Sequence, residues 1–468
     1  DGDKIRFRQG TPEKIGGWQQ ISTSTFEGVC RSLHNWVTLG GQNLIGVGTH
    51  LKFYISNVGN YNDVTPIRAT VSLSNPFTTV SGSAVVTVLD SNGGYQDGDY
   101  VTFSNASAVG GLTIDGEFVV SLSVTTAANS YNITASSNAT SSATGGGTVS
   151  AAYQINVGNP FAVPIEGWGA SSWGSGAWNV GESSTTAIRF FSQSNFGEDL
   201  IFGNNGGSIF YWDATGSVTT RAVLLSTLSG ASDVPVVQNL ILVSDISRFV
   251  FCFGTNEIGS DTIDPTLLRW SDQEDATNWT PSATNQAGSL RLSRGTKIVA
   301  ASQARQEVLV WTDSSLYSLQ YVGAPAVWAA TLVGENISIS SQNAVAYANG
   351  VAYWMGKDKF YMYDGRTQPL KCDVRKYIFN DFNTAQYSQV FSGTNESFHE
   401  VWWFYCSDGE TNIDKYVIYN YLDKIWYYGT LARTAWLDSG LRDSPLAATY
   451  TLNLVDHESG VDDNQTTS

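Results

Sequence analysis

The sequence predicts an all-β fold, a β-propeller interrupted by an inserted small β-sandwich or barrel. Three observations carry that prediction. The chain of 468 residues holds 15 Trp, 22 Tyr and 21 Phe beside 46 Gly. Aromatic side chains favour half-buried pleated strands, and glycine opens the φ angles that tight turns need. A hairpin pattern recurs along most of the length: an apolar strand, a short polar or glycine turn, a second aromatic strand, then an Asp or Asn exit. Helical signals are almost absent, "DVRKYIFNDF" at 373–382 amounting to a turn or two.

Taken in order, the hairpins read "NLIGVGTHLKFYISN", "DLIFGNNGGSIFYWDATG", "FVFCFGTNEIGSDTIDPTLLRW", "VLVWTDSSLYSLQYVG", "VAYWMGKDKFYMYDGR" and "VWWFYCSDGETNIDKYVIYNYLDK". Apolar runs separated by a few turn residues are hairpin signals. From the second copy onward their turns recur at about 43 to 60 residues, the spacing of four-stranded propeller blades. One blade cannot bury both of its faces alone, so neighbours stack around an axis and the ring closes to remove its edges.

A shorter repeat lies within this pattern. "YISNVGNYNDVTP" at 54–66 aligns without a gap on "RWSDQEDATNWTP" at 269–281. Ser56 falls on Ser271, Asn57 on Asp272, Asn60 on Asp275, Asp63 on Asn278, and Thr65-Pro66 on Thr280-Pro281. Short Asx and Ser side chains hold turns by bonding their own backbone, and proline ends a ladder. The stretch reads as a structured strand exit closing outer hairpins of two blades. Calcium loops place ligands at alternate residues and add a glycine and a distal glutamate, which neither copy supplies.

The first and second hairpins stand too far apart for one blade, which predicts an insertion. Residues 1–68 read as the first part of the propeller, 69–157 as the inserted β-domain, 158–448 as the rest of the propeller, and 449–468 as the start of an incomplete C-terminal β region. From Phe118 to Ile165 there is no charged residue. Even so, "SAVVTVLD", "DYVTFSN", "GEFVVSLSV" and "SYNITAS" are credible strands with turn chemistry between them, so a sandwich or barrel is expected and not disorder. In "LDSNGGYQDGDYV", Asp90, Asn92, Asp97 and Asp99 suit two successive glycine turns better than a calcium loop. The domain is expected to hang from a loop between blade strands, because insertion is tolerated at exposed tips.

Charge narrows the partners. The formal charge is −17 with 14% charged residues, against about 25% in average domains. Such a surface repels DNA and anionic membranes, whose phosphates need clustered Lys and Arg. The four cysteines, Cys30, Cys252, Cys372 and Cys406, form no C-x-x-C pair and read as buried thiols. No apolar run reaches membrane-spanning length.

No catalytic constellation stands out. His34, His50, His399 and His457 occur in unrelated contexts without metal-ligand spacing, and nucleophile-elbow, P-loop and dinucleotide motifs are missing. "SDQEDATNWT" matches the Asp-box of sialidase-like propellers only loosely. Carboxylate pairs meet in space from distant positions, so a glycan-processing propeller stays open, as does a glycan-binding one. The aromatic runs "VWWFYCSDGE" and "IWYYGT" alternate within strands and read as core.

Several blocks in order resemble one family. "DGDKIRFRQGTPEKIGGW", followed by "NLIGVGTHLKFYI", "WSDQEDATNWTP" and "SLRLSRGTKIVAASQARQEVLVWTDSSLYSLQYVG", is similar to the tail hub, or nozzle, proteins of short-tailed bacteriophages, also called packaged-DNA stabilisation or tail accessory factors. The resemblance covers most of the chain outside 69–157. It implies a structural virion protein of the phage tail, assembled in the host cytoplasm. Its β-propeller subunits would form a homo-oligomeric ring, a homohexamer, that extends the DNA conduit below the portal and adaptor, retains packaged DNA and allows its ejection. Portal-adaptor proteins above and tail fibre, tailspike or needle proteins at the side or below are the implied partners. Viral DNA would pass through without specific binding. The family offers no catalytic, cofactor-binding or metal residue to carry over, and no cofactor. It implies an inserted domain on the outside of the ring.

Overall fold

The computed structural model describes residues 3–122, 129–162 and 187–462. Parts of the uncharged run (123–128 and 163–165) and the last six residues lie outside the described residues. The chain forms two compact units. The first comprises Asp1–Asn62, Asn159–Val218 and Leu224–Ser468; the second comprises Asp63–Gly158 and Thr219–Val223.

The first unit is a seven-bladed β-propeller. Seven four-stranded antiparallel sheets occupy 30–63, 191–224, 238–291, 298–335, 345–370, 391–430 and 435–457, the last completed by Trp18–Gln20. These are blades 1 to 7. Their first strands are Cys30–Val37, Phe191–Phe196, Gln238–Val243, Ile298–Gln303, Val345–Ala348, Phe391–Asn395 and Ala435–Leu437. Each abuts the first strand of the next blade, and the seventh returns to the first. The six hairpins read from the sequence are the second and third strands of blades 1 to 6. Those strands are buried on both faces, so their apolar runs are the longest in each blade and the easiest to see.

Aromatic side chains fill the seams between blades. Phe53 of blade 1 stacks on Phe202 of blade 2 at 3.8 Å, and Phe251 meets Trp328 at 4.9 Å across blades 3 and 4. Trp311 meets Trp354 at 5.3 Å, Phe360 meets Trp403 at 4.9 Å, and Trp402 meets Trp436 at 5.1 Å across the following three seams. Each such pair contributes about 0.5–1.5 kcal/mol beyond the area it buries. Gly393, on the first strand of blade 6, leaves the space that the Trp436 ring fills, since a Cβ there would overlap that ring.

Closure corrects one expectation. Residues 449–462 do not begin a separate C-terminal region: Leu454–His457 is the third strand of blade 7, and Trp18–Gln20 pairs with it as the fourth. Blade 7 is thus built from both ends of the ring. Its strands are only three or four residues long, too short for a visible apolar run, and pairing across the whole chain leaves no local signal. Ahead of this strand, the hairpin Ile5–Arg8 and Thr11–Lys14 packs beside Ile425–Thr430, the outer strand of blade 6.

The second unit is a β-sandwich of two four-stranded sheets. One orders its strands as Ser130–Thr134, Val85–Leu89, Phe77–Thr79 and Ala143–Gly145; the other as Gly116–Val119, Tyr100–Ser104, Thr148–Gln154 and Ile67–Ser74. Phe77, Val88 and Tyr131 from one face Val101, Phe103 and Val149 from the other in a core of its own. The unit starts at Asp63, not at residue 69, and gathers Thr219–Val223 as well. Ile67–Ser74 is a half-exposed edge strand, which is why its weak alternation does not mark the boundary. In chain order the segment follows the last strand of blade 1 and precedes blade 2, so it is inserted between two blades and not between strands of one blade. Arg221 donates to the Asp63 carboxylate at 3.0 and 3.3 Å, and Ala222 N–H donates to Val64 O at 3.0 Å.

Candidate functional site

The repeated turn motif is built for shape. In both copies its serine lies at the end of the third strand of a blade and is buried, Ser56 one residue before the last in blade 1 and Ser271 one residue past it in blade 3. The copies then diverge. Val58 and Gly59, at φ 49° and 81°, turn at once into the fourth strand Asn60–Asp63, whereas blade 3 makes an excursion over 271–287 before Gly288–Arg291. Asp63 accepts from Thr65 N–H at 2.9 Å, and Asp275 accepts from Thr277 N–H at 2.9 Å. These are Asx turns in which the carboxylate saturates backbone donors.

The same holds in the sandwich. Asp90 accepts from Asn92 N–H at 2.8 Å and from the Tyr153 hydroxyl at 2.6 Å. Asp99 accepts from Gln96 N–H, Asn156 Nδ2 and Val157 N–H, and Asp97 accepts from Leu122 N–H. Asp90 and Asp99 are buried, so these acids hold turns. Among the described residues no group of three or more His, Cys, Asp or Glu is arranged to hold a metal.

The histidines stand apart. His34 Nε2 pairs with Asn195 at 3.0 Å on the first strands of blades 1 and 2, and His50 Nδ1 accepts from Val29 N–H at 2.8 Å. His457 is enclosed in blade 7, where Arg433 Nε donates to its Nε2 at 2.9 Å. Burial lowers all three below the ordinary imidazole value, His50 to about 4 with the field of Arg31 adding to the effect. The cysteines are free, and burial pushes Cys30, Cys372 and Cys406 up to about 12, which leaves them thiols and poor nucleophiles.

One carboxylate constellation was not visible in the sequence. Arg6, from the N-terminal hairpin, sits between Glu400 of blade 6 and Glu458, just past the third strand of blade 7. Arg6 Nε donates to Glu400 Oε1 at 2.9 Å and Nη2 to Oε2 at 3.2 Å; Nη1 donates to Glu458 at 3.0 Å, with a second contact from Nη2. Trp402 Nε1 donates to Glu400 at 3.0 Å, and so does the Tyr427 hydroxyl. The guanidinium lies 3.5 Å from the Phe398 ring centroid. An arginine, a tyrosine and two glutamates are what a sialidase reading would seek. Glu400 is 0% exposed, however, and four donors occupy its oxygens, so no substrate meets it. Burial opposes the charge on Arg6, but Glu458 and Glu400 outweigh it and hold the guanidinium above its ordinary value. The group clamps the hairpin across the closing blades.

The axis has a different chemistry. The seven first strands carry no Lys, Asp or Glu and one Arg, the buried Arg31. Their half-buried positions include Ser32, His34, Gln193, Asn239, Ser302 and Thr394. The acidic excess therefore lies off the axis, on turns and outer strands. A cavity of about 250 Å³ opens here among blades 1, 4, 5, 6 and 7, lined by Arg31, Ser32, Ser302, Gln342, Asn343 and Ser392 among others. A second cavity, of about 440 Å³, lies between blades 3 and 4 against Tyr321, Trp328, Glu307, Gln320, Ser247 and Ile246. Tyr321 and Ile246 are exposed there.

Comparison with known proteins assigns the chain to no family: no family model matches it, and no curated protein does. Solved structures do match. Hsv2p of Kluyveromyces lactis is 12% identical over 57% of this chain and 74% of its own, with a TM-score of 0.33. The endosialidase of phage phi92 is 11% identical over 98% of this chain and 67% of its own, with a TM-score of 0.22. At these values the likeness carries no argument, and the propeller rests on this chain's own seven sheets.

Proposed function

We propose that the protein is a structural subunit of a short-tailed phage tail, the hub or nozzle ring that extends the DNA conduit below portal and adaptor. The reading rests on the sequence blocks that resemble that family. The observation that supports it best is where the first block falls in the fold. "DGDKIRFRQGTPEKIGGW" supplies both the Arg6 clamp and the start of the strand that closes blade 7. The resemblance therefore coincides with the residues that hold the ring of blades shut. A net charge of −17 suits a particle that guides a polyanion without holding it. In this reading the subunits form a homohexamer in the virion, with portal-adaptor proteins above and fibre, tailspike or needle proteins beside or below.

Negative-stain electron microscopy with mass photometry of the purified chain tests it. The expected result is a closed ring of identical subunits, six by the resemblance. A monomer at every concentration, with no ring in the presence of portal and adaptor, overturns it.

A second reading, a glycan-binding propeller, is favoured by the cavity between blades 3 and 4. An exposed tyrosine ring beside amides and a carboxylate is the chemistry that stacks and hydrogen-bonds a sugar. A glycan panel decides: binding abolished by Tyr321→Ala supports this reading, and an empty panel removes it.

A further inference from the structure

The loops of the propeller fall into two sets. In an antiparallel four-stranded blade, the turns from first to second and from third to fourth strand lie at one end. The turn from second to third strand and the passage to the next blade lie at the other. All seven blades share this strand order, so the propeller unit has two faces, each built of loops. Among the described residues, six large apolar side chains of this unit are more than half exposed: Leu39, Val58, Ile246, Val322, Leu422 and Val461. All six lie at the first face. Leu39 and Ile246 sit in first-to-second turns of blades 1 and 3, Val58 and Leu422 in third-to-fourth turns of blades 1 and 6, Val322 near the end of the third strand of blade 4, and Val461 past the third strand of blade 7. A single exposed apolar residue is ordinary on any surface. Their segregation to one face is not.

Charge divides the same way. Leaving out the N-terminal hairpin and the inserted segment, the loops of the first face and the stretch 458–462 carry fourteen Asp and Glu against six Lys and Arg. The loops of the opposite face carry eleven against nine. Acid and apolar groups are also neighbours in the chain: Asp245 adjoins Ile246 and Asp423 adjoins Leu422, all four exposed. The 440 Å³ cavity between blades 3 and 4 lies at this face too, with Ile246, Tyr321 and Trp328 in its wall. Such a recess lets a partner insert an anchoring side chain.

We propose that this face docks a protein partner whose contact surface is basic, with apolar side chains set among its cations. Charge selects the occupant, because protein interfaces match opposite potentials around an apolar centre. A second copy meeting it by the same face would bring fourteen acids against fourteen and be repelled, and a DNA duplex or an anionic bilayer is repelled for the same reason. The proposal rests on the loops alone and holds whether or not the chain is a tail subunit.

The test uses a fluorescein-labelled amphipathic peptide of Leu and Lys, titrated with the purified full chain and followed by anisotropy, beside a Leu and Glu peptide of the same pattern. One variant combines Leu39→Ser, Val58→Ser, Leu422→Ser and Val461→Ser; a second combines Asp245→Asn and Asp423→Asn. Ile258→Ser, exposed on the opposite face, is the control. The expected result is binding of the Leu and Lys peptide that the fourfold variant weakens roughly tenfold, that the double variant weakens in the same direction and that the control leaves unchanged. The Leu and Glu peptide should not bind. Equal affinity for wild type and the fourfold variant overturns the proposal, since charge alone then attracts the peptide. So does an absence of binding, or equal binding of the two peptides. Sedimentation of the free chain covers the remaining occupant: self-association that disappears in the fourfold variant gives the face to a second copy and overturns the proposal. All the changed side chains are exposed, so each variant should melt with wild type.

Discussion

Arg6 and His50 show how single residues set the stability of this fold. Removing Arg6 leaves Glu400 and Glu458 buried or half-buried without their cation, and breaking a buried pair from one side costs about 3–5 kcal/mol. Arg6→Met should lower the urea midpoint by a corresponding amount, while the double change Arg6→Met with Glu400→Gln should recover part of the loss. Equal stability of Arg6→Met and wild type would show that the clamp carries no net energy. His50 is neutral when folded, its value lowered to about 4 by burial and by Arg31, against about 6.5 unfolded. The unfolded state binds the proton first as pH falls. The stabilisation is therefore complete above about pH 6.5 and is lost progressively toward pH 4, on the order of 3 kcal/mol in all. His50→Gln should be less stable at neutral pH and should show a shallower loss between pH 6.5 and 4; an unchanged slope would remove His50 from the acid response. None of these residues carries a sequence signal. Their partners lie hundreds of positions away, and a lone Arg, Glu or His looks the same in a clamp as on a surface.

Secondary elements were legible in proportion to how completely they are buried. The second and third strands of blades 1 to 6, such as Glu400–Tyr405 and Lys415–Asn420, read clearly because burial on both faces demands unbroken apolar runs. First strands such as Phe391–Asn395 did not, since this inner edge of the blade is only half-buried and mixes Ser, Gly and Thr with its apolar residue. Blade 7 escaped notice because its strands are short and one of them comes from residues 18–20. That closing strand gives an element-scale prediction. Deleting residues 1–22 should leave blade 7 with three strands and a bare edge, lowering Tm by several degrees, and a synthetic 3–22 peptide added in trans should restore it. No recovery with peptide would mean that covalent attachment, and not strand pairing, closes the ring. The sandwich gives another. Its core draws only on its own residues, so replacing residues 66–157 with a Gly-Ser linker should leave a propeller that melts cooperatively. Aggregation of the deleted chain would show that the propeller needs the sandwich to fold.

At the scale of the whole molecule the distribution of charge matters more than its sum. A net −17 repels a polyanion from any face, but binding depends on whether cations cluster, because each neutralised phosphate releases counterions. Here the cations are spent singly. Arg6 is enclosed by two glutamates, Arg221 is paired with Asp63, Arg291 with Glu257 and Asp264, and Lys415 with Asp381. The one charged residue of the axial strands, Arg31, is buried. Cations enclosed in this way do not add to a stripe along which a duplex could lie. A protein making even six phosphate contacts would show an affinity falling with salt at a slope of about −5 on logarithmic axes. For this chain the expected result is no measurable binding of a short DNA duplex at 50 mM salt, by fluorescence anisotropy at micromolar protein, and no change between 50 and 200 mM. Micromolar affinity with a steep negative slope would mean that assembly or an unpaired basic face creates a phosphate track, and the protein would then grip the genome where the conduit reading requires it to slide.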